Sequence, residues 1–249
     1  MLNAIHYGSP TDKPSLLIAH GLFGSARNWG VIAKRFSGTR HVTSVDMRNH
    51  GESPWSDAHS YPDLADDLAH AISGTSDVLG HSMGGKAAMA LALTYPDRVR
   101  RLIVADIAPV AYSHTQQPMI DAMRTVDMSK ITSRRDADTQ LETVVDDPGV
   151  RAFLLQSLDV PARRWRLNLD ALEAEMPSII GFPTMSGSFE GPTLFLSGTE
   201  SDYVTRDHRP DIKSYFPSAR FAKIPNAGHW LHADNPRAFE AAIAAFLEA

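Results

Sequence analysis

Short apolar runs recur along this chain, and each of them ends in a polar or glycine turn. Five are evident, at residues 15–19, 42–45, 77–79, 101–105 and 193–197. Such runs are typical of strands that are buried on both faces of a parallel sheet. Between them lie stretches whose apolar residues have helical spacing, for example Leu64, Leu68 and Ile72. This alternation predicts βαβ units, and so an α/β fold with a mostly parallel central sheet flanked by helices.

The strand pattern is absent from residues 112–187. Apolar residues there, among them Met119 and Met123, recur at helical spacing instead. The interval is far longer than the roughly dozen residues that a crossover connection needs. We therefore predict a core domain made of residues 1–111 and 188–249, with a helical cap inserted at 112–187. Two further crossover helices of the sheet are the alternative.

The composition limits the classes of function. The chain has 249 residues and a net charge of -5, and its basic residues are scattered, so no surface for nucleic acid is expected. The chain has no cysteine, which excludes disulfides, thiolate catalysis and cysteine-based metal sites. No apolar run reaches the ~18 residues of a membrane span, and no leader pattern begins the chain. A cytoplasmic enzyme that does not engage membranes is the simplest expectation.

The segment Gly80-His81-Ser82-Met83-Gly84-Gly85 stands between an apolar run and a helix-like stretch. A serine on such a strand-to-helix turn has a strained backbone, and glycines two residues away on either side let neighbouring chain pass closely. Its hydroxyl is then exposed at the edge of the sheet, beside the N–H groups of a helix start. The pattern predicts that Ser82 is a nucleophile.

The same segment has a second interpretation, because Gly80, Gly85 and Lys86 match the beginning of a phosphate-binding P-loop. A P-loop requires serine or threonine at the next position to hold magnesium. This chain has Ala87 there, so the nucleophile interpretation is favoured.

A second small-residue loop, His20-Gly21-Leu22-Phe23-Gly24-Ser25, follows the first buried run. Beside a serine nucleophile, such a loop supplies a backbone N–H to an oxyanion, together with the N–H of the residue that follows the serine. We predict Leu22 and Met83 as these donors, with Phe23 as the alternative to Leu22. His20 is expected to be structural.

A general base is expected late in the chain. His229 lies in Gly228-His229-Trp230, 20 residues before the C-terminus, and is favoured over His232 and the other histidines. Two carboxylates could orient its imidazole. Asp106 follows the run 101–105, and Asp202 follows the run 193–197, although Ser201 occupies the register where a carboxylate is expected. Asp106 is preferred, and Asp202 remains the alternative.

Together these residues resemble the α/β-hydrolase superfamily, and in particular its small bacterial esterases of the YbfF type, which are related to the ABHD11-like hydrolases. The resemblance covers nearly the whole chain and is carried by residues 20–25, 28–29, 46–53, 80–86, 106–110 and 228–230. It implies esterase activity toward short acyl esters and thioesters, a helical cap over the site, and an acid on the loop of Asp106. Asp46 and Arg48, in the second motif, are expected to brace the loop beside the site.

The predicted reaction is acyl transfer through a Ser-His-Asp triad and an acyl-enzyme, with a small-molecule ester or thioester as substrate and no metal or organic cofactor. Hydrolysis of a carbon–carbon bond or a lactone is the alternative within enzymes. Outside enzymes, the alternative is a ligand-binding receptor with a slow triad. Five apolar residues could line a pocket, although core packing is the favoured interpretation: Met119, Met123, Phe153, Leu154 and Trp165.

Overall fold

The computed structural model describes residues 1–249, and most of its strands form one seven-stranded sheet. The strands are β1 (Ala4–Tyr7), β2 (Leu16–Ala19), β3 (Val42–Val45), β4 (Ser76–His81), β5 (Val99–Ala105), β6 (Leu158–Asp159), β7 (Arg164–Trp165), β8 (Thr193–Gly198) and β9 (Ala219–Ile224). The order in the sheet is β1-β3-β2-β4-β5-β8-β9. β1 pairs antiparallel with β3, and the other pairs are parallel. The predicted α/β architecture is therefore confirmed, and all five predicted strands are present.

The chain also forms eleven α-helices. They are α1 (Gly30–Phe36), α2 (Tyr61–Ala71), α3 (Met83–Thr94), α4 (Gln117–Arg124), α5 (Arg134–Leu141), α6 (Pro148–Leu154), α7 (Leu169–Ala174), α8 (Met176–Ile180), α9 (Arg209–Tyr215), α10 (Leu231–Asp234) and α11 (Pro236–Glu248). Alternate residues of a strand point to opposite faces of the sheet. Leu17 accordingly packs in the core with α2 and α3, whereas Ile18 packs with α1 and α11.

Helix α3 lies at the centre of one sheet face. It follows β4, a central strand, and ten consecutive residues from Met83 to Ala92 are buried. Glycine and alanine make up much of this stretch, so the helix backbone can approach the sheet closely. The start of α3 is thereby fixed against the carboxyl edge of β2 and β4, where ligands bind in parallel α/β sheets.

Between β5 and β8 the chain forms the helices α4 to α8, as the loss of strand pattern predicted. This stretch also contains a two-residue antiparallel ladder of β6 and β7, in which Leu158 pairs with Trp165, and the sequence did not reveal it. Apolar side chains of the stretch, such as Leu154 and Leu172, belong to the same buried cluster as α2 and α3. We call residues 112–187 the inserted segment. Every helix of the structure falls short of the length and apolar character that a membrane crossing demands.

Candidate active site

Ser82 occupies the one-residue turn between β4 and α3. Its φ is 53° and its ψ is -122°, a backbone conformation that residues other than glycine adopt rarely. Two glycines permit the turn. A Cβ at Gly84 would stand 2.5 Å from the Ala19 carbonyl oxygen, and a Cβ at Gly80 would collide with the backbone of Gly84. The close approach predicted for these glycines is confirmed, and it holds the Ser82 hydroxyl at the carboxyl edge of the sheet.

The structure brings Ser82, His229 and Asp106 into one hydrogen-bonded chain. His229 Nε2 lies 3.0 Å from Ser82 Oγ, and His229 Nδ1 lies 2.8 Å from Asp106 Oδ2. Because a carboxylate only accepts hydrogen bonds, Nδ1 carries the proton of the neutral ring and Nε2 is free to accept one. This arrangement can take a proton from the serine hydroxyl while the carboxylate stabilises the resulting imidazolium.

Asp106 is completely buried at the end of β5 and has a φ of 52°. Besides His229, its carboxylate accepts from the Gly198 N–H at 3.3 Å and from Ser201 Oγ at 2.5 Å. Asp202, the alternative acid, is exposed and forms no hydrogen bond with His229, whose Nδ1 is paired with Asp106. Ser201 therefore stands where a carboxylate was expected, and its hydroxyl binds the carboxylate that comes from the neighbouring strand.

Two residues that the sequence did not single out hold His229 in place. The Tyr203 ring stacks on the imidazole, with ring centres 3.9 Å apart and an angle of 21°. His81 Nε2 lies 2.8 Å from the His229 carbonyl oxygen and donates to it. Burial keeps the pKa of His81 well below its ordinary value, so its ring is neutral. The position of His81, directly before Ser82, was the available signal.

The backbone N–H groups of Leu22 and Met83 have no acceptor within the protein. Met83 is the first residue of α3, where no preceding turn supplies a carbonyl. The Phe23 N–H, in contrast, donates to His50 Nε2 at 3.2 Å. The Phe23 carbonyl oxygen accepts from Ser157 Oγ at 2.8 Å, so both backbone polar groups of Phe23 are engaged in hydrogen bonds. The geometry favours Leu22 over Phe23 as the partner of Met83.

The loop that carries Leu22 is braced as the sequence suggested. His20 Nε2 accepts from the Met47 N–H at 2.9 Å. Asp46 accepts from the Ala26 N–H at 2.7 Å and from the Glu52 N–H at 3.0 Å. In the same motif, Arg48 donates to Asp67 at 2.6 Å. His20 and Asp46 therefore brace this loop through hydrogen bonds, whereas Arg48 ties the second motif to α2.

A cavity of about 340 Å³ opens beside the Ser82 hydroxyl, and most of its lining residues are apolar. The inserted segment contributes Met119, Phe153 and Leu154 to this lining. Leu154 is also a fully buried core residue, and Met119 and Phe153 are half-buried against the core, so these three side chains pack with the core as well as lining the cavity. Met123 and Trp165 do belong to the core, where the Trp165 Nε1–H donates to the Met123 carbonyl oxygen at 2.9 Å.

Lys86 is turned toward protein carbonyls and not toward a phosphate site. Its Nζ donates to the carbonyl oxygens of Val110, Ile180 and Gly181. Burial lowers the pKa of Lys86 to about 7, while the three oxygens favour its ammonium form. The P-loop interpretation of this segment is therefore not supported. No group of three histidine or carboxylate side chains is arranged to hold a metal ion.

A family model described as the alpha/beta hydrolase family matches residues 16–242. The chain belongs to this family. This α/β-hydrolase is 41% identical to the sn-1-specific diacylglycerol lipase ABHD11 of Danio rerio over 95% of the chain and 79% of the relative. It is 36% identical to esterase YbfF of Escherichia coli (strain K12), over 97% of the chain and 94% of the relative.

A solved structure described as a marine microorganism esterase superposes on this α/β-hydrolase with a TM-score of 0.93. The two chains are 37% identical, and the match covers 98% of each. The similarity therefore extends over the inserted segment as well as over the sheet, and it supports an α/β-hydrolase of the YbfF and ABHD11 type.

Proposed function

We propose that this α/β-hydrolase cleaves carboxylic esters, with Ser82 as nucleophile, His229 as general base and Asp106 as the orienting acid. The observation that carries the proposal is the hydrogen-bonded chain from Ser82 through His229 to Asp106, set at the mouth of an apolar cavity. Relatives named as an esterase and as a diacylglycerol lipase support the same reaction class.

In the first step, His229 Nε2 accepts the Ser82 proton as the serine oxygen attacks the ester carbonyl. The N–H groups of Leu22 and Met83 stabilise the oxyanion, and the imidazolium returns the proton to the departing alcohol. In the second step, a water molecule attacks the acyl-serine and gives its proton to His229. The attack gives a tetrahedral intermediate. Its collapse breaks the bond to the serine oxygen, which takes the proton back from His229, and releases the carboxylic acid.

The cavity volume of about 340 Å³ and its apolar lining suit an acyl chain of short to medium length better than a charged group. Since Met119, Phe153 and Leu154 of the inserted segment line this cavity, we propose that residues 112–187 act as a cap that selects the acyl group. Acyl thioesters present the same carbonyl to Ser82 and belong to the proposed substrate range. A cytoplasmic location is part of the same proposal.

The test is turnover of 4-nitrophenyl esters with acyl chains of two to eight carbons. We expect Ser82→Ala to lower kcat by at least about 10⁴-fold, while the circular dichroism spectrum stays that of the wild type. Ser214→Ala, an exposed serine of α9, is the matched control and is expected to retain activity. Wild-type rates in Ser82→Ala would reject the nucleophile, and covalent labelling of Ser82 without any turnover would favour a receptor.

A further inference from the structure

Lys86 is a buried cation that the proposed reaction does not use. It lies one helical turn after Ser82 on α3, and only 1% of the residue's surface is exposed. Its Nζ is 2.9 Å from the Val110 carbonyl oxygen, 2.9 Å from that of Ile180 and 2.5 Å from that of Gly181. An ammonium group has three N–H donors. All three are engaged, so none remains for a substrate.

The three carbonyls belong to the two connections of the inserted segment. Val110 lies on the connection that leaves β5, whereas Ile180 and Gly181 lie at the end of α8, on the way back to β8. The connections also touch each other, because the Tyr112 N–H donates to the Ile180 carbonyl oxygen at 3.0 Å. Both ends of the segment therefore converge on one side chain of the nucleophile helix.

No carboxylate pairs with the Lys86 ammonium. The Tyr112 ring centre lies 4.8 Å from Nζ and the Tyr61 ring centre lies 5.8 Å from it, so aromatic faces cover the charge. A buried charge is costly unless its hydrogen bonds are complete. Displacement of either connection would leave N–H donors of Lys86 without acceptors, so the lysine opposes that displacement.

The two connections of the inserted segment border the candidate site on two sides. Ile179 and Ile180 line the cavity, and the Ile179 carbonyl oxygen accepts from the Tyr61 hydroxyl at 2.6 Å. On the other connection, the Tyr112 hydroxyl donates to the Tyr203 carbonyl oxygen at 2.7 Å. The Tyr203 ring in turn stacks on His229. A shift at Lys86 would therefore move a cavity wall and the support of the imidazole.

We propose that Lys86 is a positioning residue that clamps both connections of the inserted segment to the nucleophile helix and thereby fixes the wall of the acyl cavity. Its effect on substrate selection rests on the proposed esterase function. Its effect on the connections does not, because the hydrogen bonds to Val110, Ile180 and Gly181 exist whatever the reaction is.

Hydrogen exchange measured by mass spectrometry tests the clamp without any substrate. In Lys86→Met we expect peptides that span residues 108–116 and 176–184 to exchange at least about tenfold faster than in the wild type, since the opening of these connections becomes easier. A peptide that covers β8 should be unchanged. Lys34→Met, which removes an exposed lysine of α1, is the control and should match the wild type. Unchanged protection of both connections in folded Lys86→Met would overturn the proposal.

A second measurement uses the wild-type protein alone and so does not depend on the folding of a variant. The protein is treated with a short pulse of an acetylating reagent, and the extent of acetylation is measured at each lysine. Hydrogen exchange of residues 108–116 is measured under the same conditions. We expect Lys86 to react only as fast as these connections open, and far more slowly than Lys34. Rapid acetylation of Lys86 while the connections stay protected would show that it does not hold them.

Kinetics test the consequence for substrate selection. We expect Lys86→Met to raise KM for a hexanoyl ester about tenfold more than KM for an acetyl ester, because only the longer chain reaches the displaced wall. An equal fall in kcat for both esters, with KM unchanged, would contradict a role in the cavity wall. If no ester is turned over even by the wild type, the proposed function fails, while the exchange result still decides the clamp.

Discussion

At the scale of single residues, Asp106 is the carboxylate that contacts His229. We expect Asp106→Asn to lower kcat by about 10⁴-fold, because the amide no longer fixes the imidazole tautomer or stabilises the imidazolium. Asp202→Asn changes an exposed residue and is expected to stay near the wild-type rate. Ester hydrolysis at saturating substrate measures both variants. A near-normal Asp106→Asn enzyme would contradict the assignment of the acid.

Ser201 offers a second test at this scale. Its hydroxyl binds the same Asp106 oxygen that receives the His229 N–H, so a carboxylate at position 201 would be within reach of the imidazole. We expect the double variant Asp106→Asn, Ser201→Asp to recover at least about tenfold in kcat over Asp106→Asn. The isosteric double variant Asp106→Asn, Ser201→Asn is the control and should recover nothing. Equal rates in the two double variants would show that position 201 does not reach the imidazole.

The local settings of Ser82 and His229 predicted their roles from the sequence, but the sequence left two choices open. The choice between Asp106 and Asp202 depends on where the neighbouring strands β5 and β8 end relative to the His229 imidazole. The pairing register of two strands decides this, and the sequence of one strand alone does not reveal it. The choice between Leu22 and Phe23 depends on the hydrogen bond that the Phe23 N–H donates to His50, 27 residues away. Both choices depend on contacts between residues that are distant in sequence.

At the scale of elements, the contact between α3 and β2 sets the position of the loop that carries Leu22. A Cβ at Gly84 would meet the backbone carbonyls of Ala19 and His20, which lie three and two residues before Leu22. We expect Gly84→Ala to lower the free energy of unfolding by about 3 kcal/mol, as overpacking of a core does. Gly38→Ala is the control, since nothing lies within 4 Å of a Cβ at that position. Urea midpoints measure both variants, and equal midpoints would contradict the close packing.

The sequence predicted some strands of the structure and missed others. The central strands are continuous apolar runs and were predicted with shifts of only a few residues. The edge strands β1 and β9 were missed. In β9, Arg220 and Lys223 are exposed and interrupt the apolar pattern, as is common for strands at a sheet edge. The ladder of β6 and β7 is only two residues long and leaves no periodic signal.

At the scale of the whole molecule, buried histidines make stability depend on pH. Burial lowers the pKa of His59 from 6.5 to about 4. The pKa values of four other buried histidines are lowered for the same reason, namely those of His20, His50, His81 and His232. In the unfolded chain the histidine pKa returns to 6.5, so the imidazole binds a proton between about pH 6.5 and about pH 4, a range in which His59 of the folded chain stays neutral. The free energy of unfolding therefore falls as the pH drops from about 6.5 to about 4.

For His59 alone, this linkage removes about 2 kcal/mol between pH 7 and pH 5. We expect His59→Gln to lose less stability than the wild type over that interval, by about this amount. His70→Gln, which removes an exposed histidine of α2, should keep the pH dependence of the wild type. Urea unfolding at the two pH values measures the difference, and an identical pH dependence in His59→Gln would refute the linkage.

The proposed reaction transfers the acyl group of the substrate to Ser82. The direct measurement is mass spectrometry of the enzyme quenched with acid during turnover of a 4-nitrophenyl ester, followed by peptide mapping. We expect a mass increase of one acyl group on the peptide that contains Ser82, and its absence in Ser82→Ala. Turnover with the acyl group on another residue, or turnover that persists in Ser82→Ala, would contradict acyl transfer to Ser82.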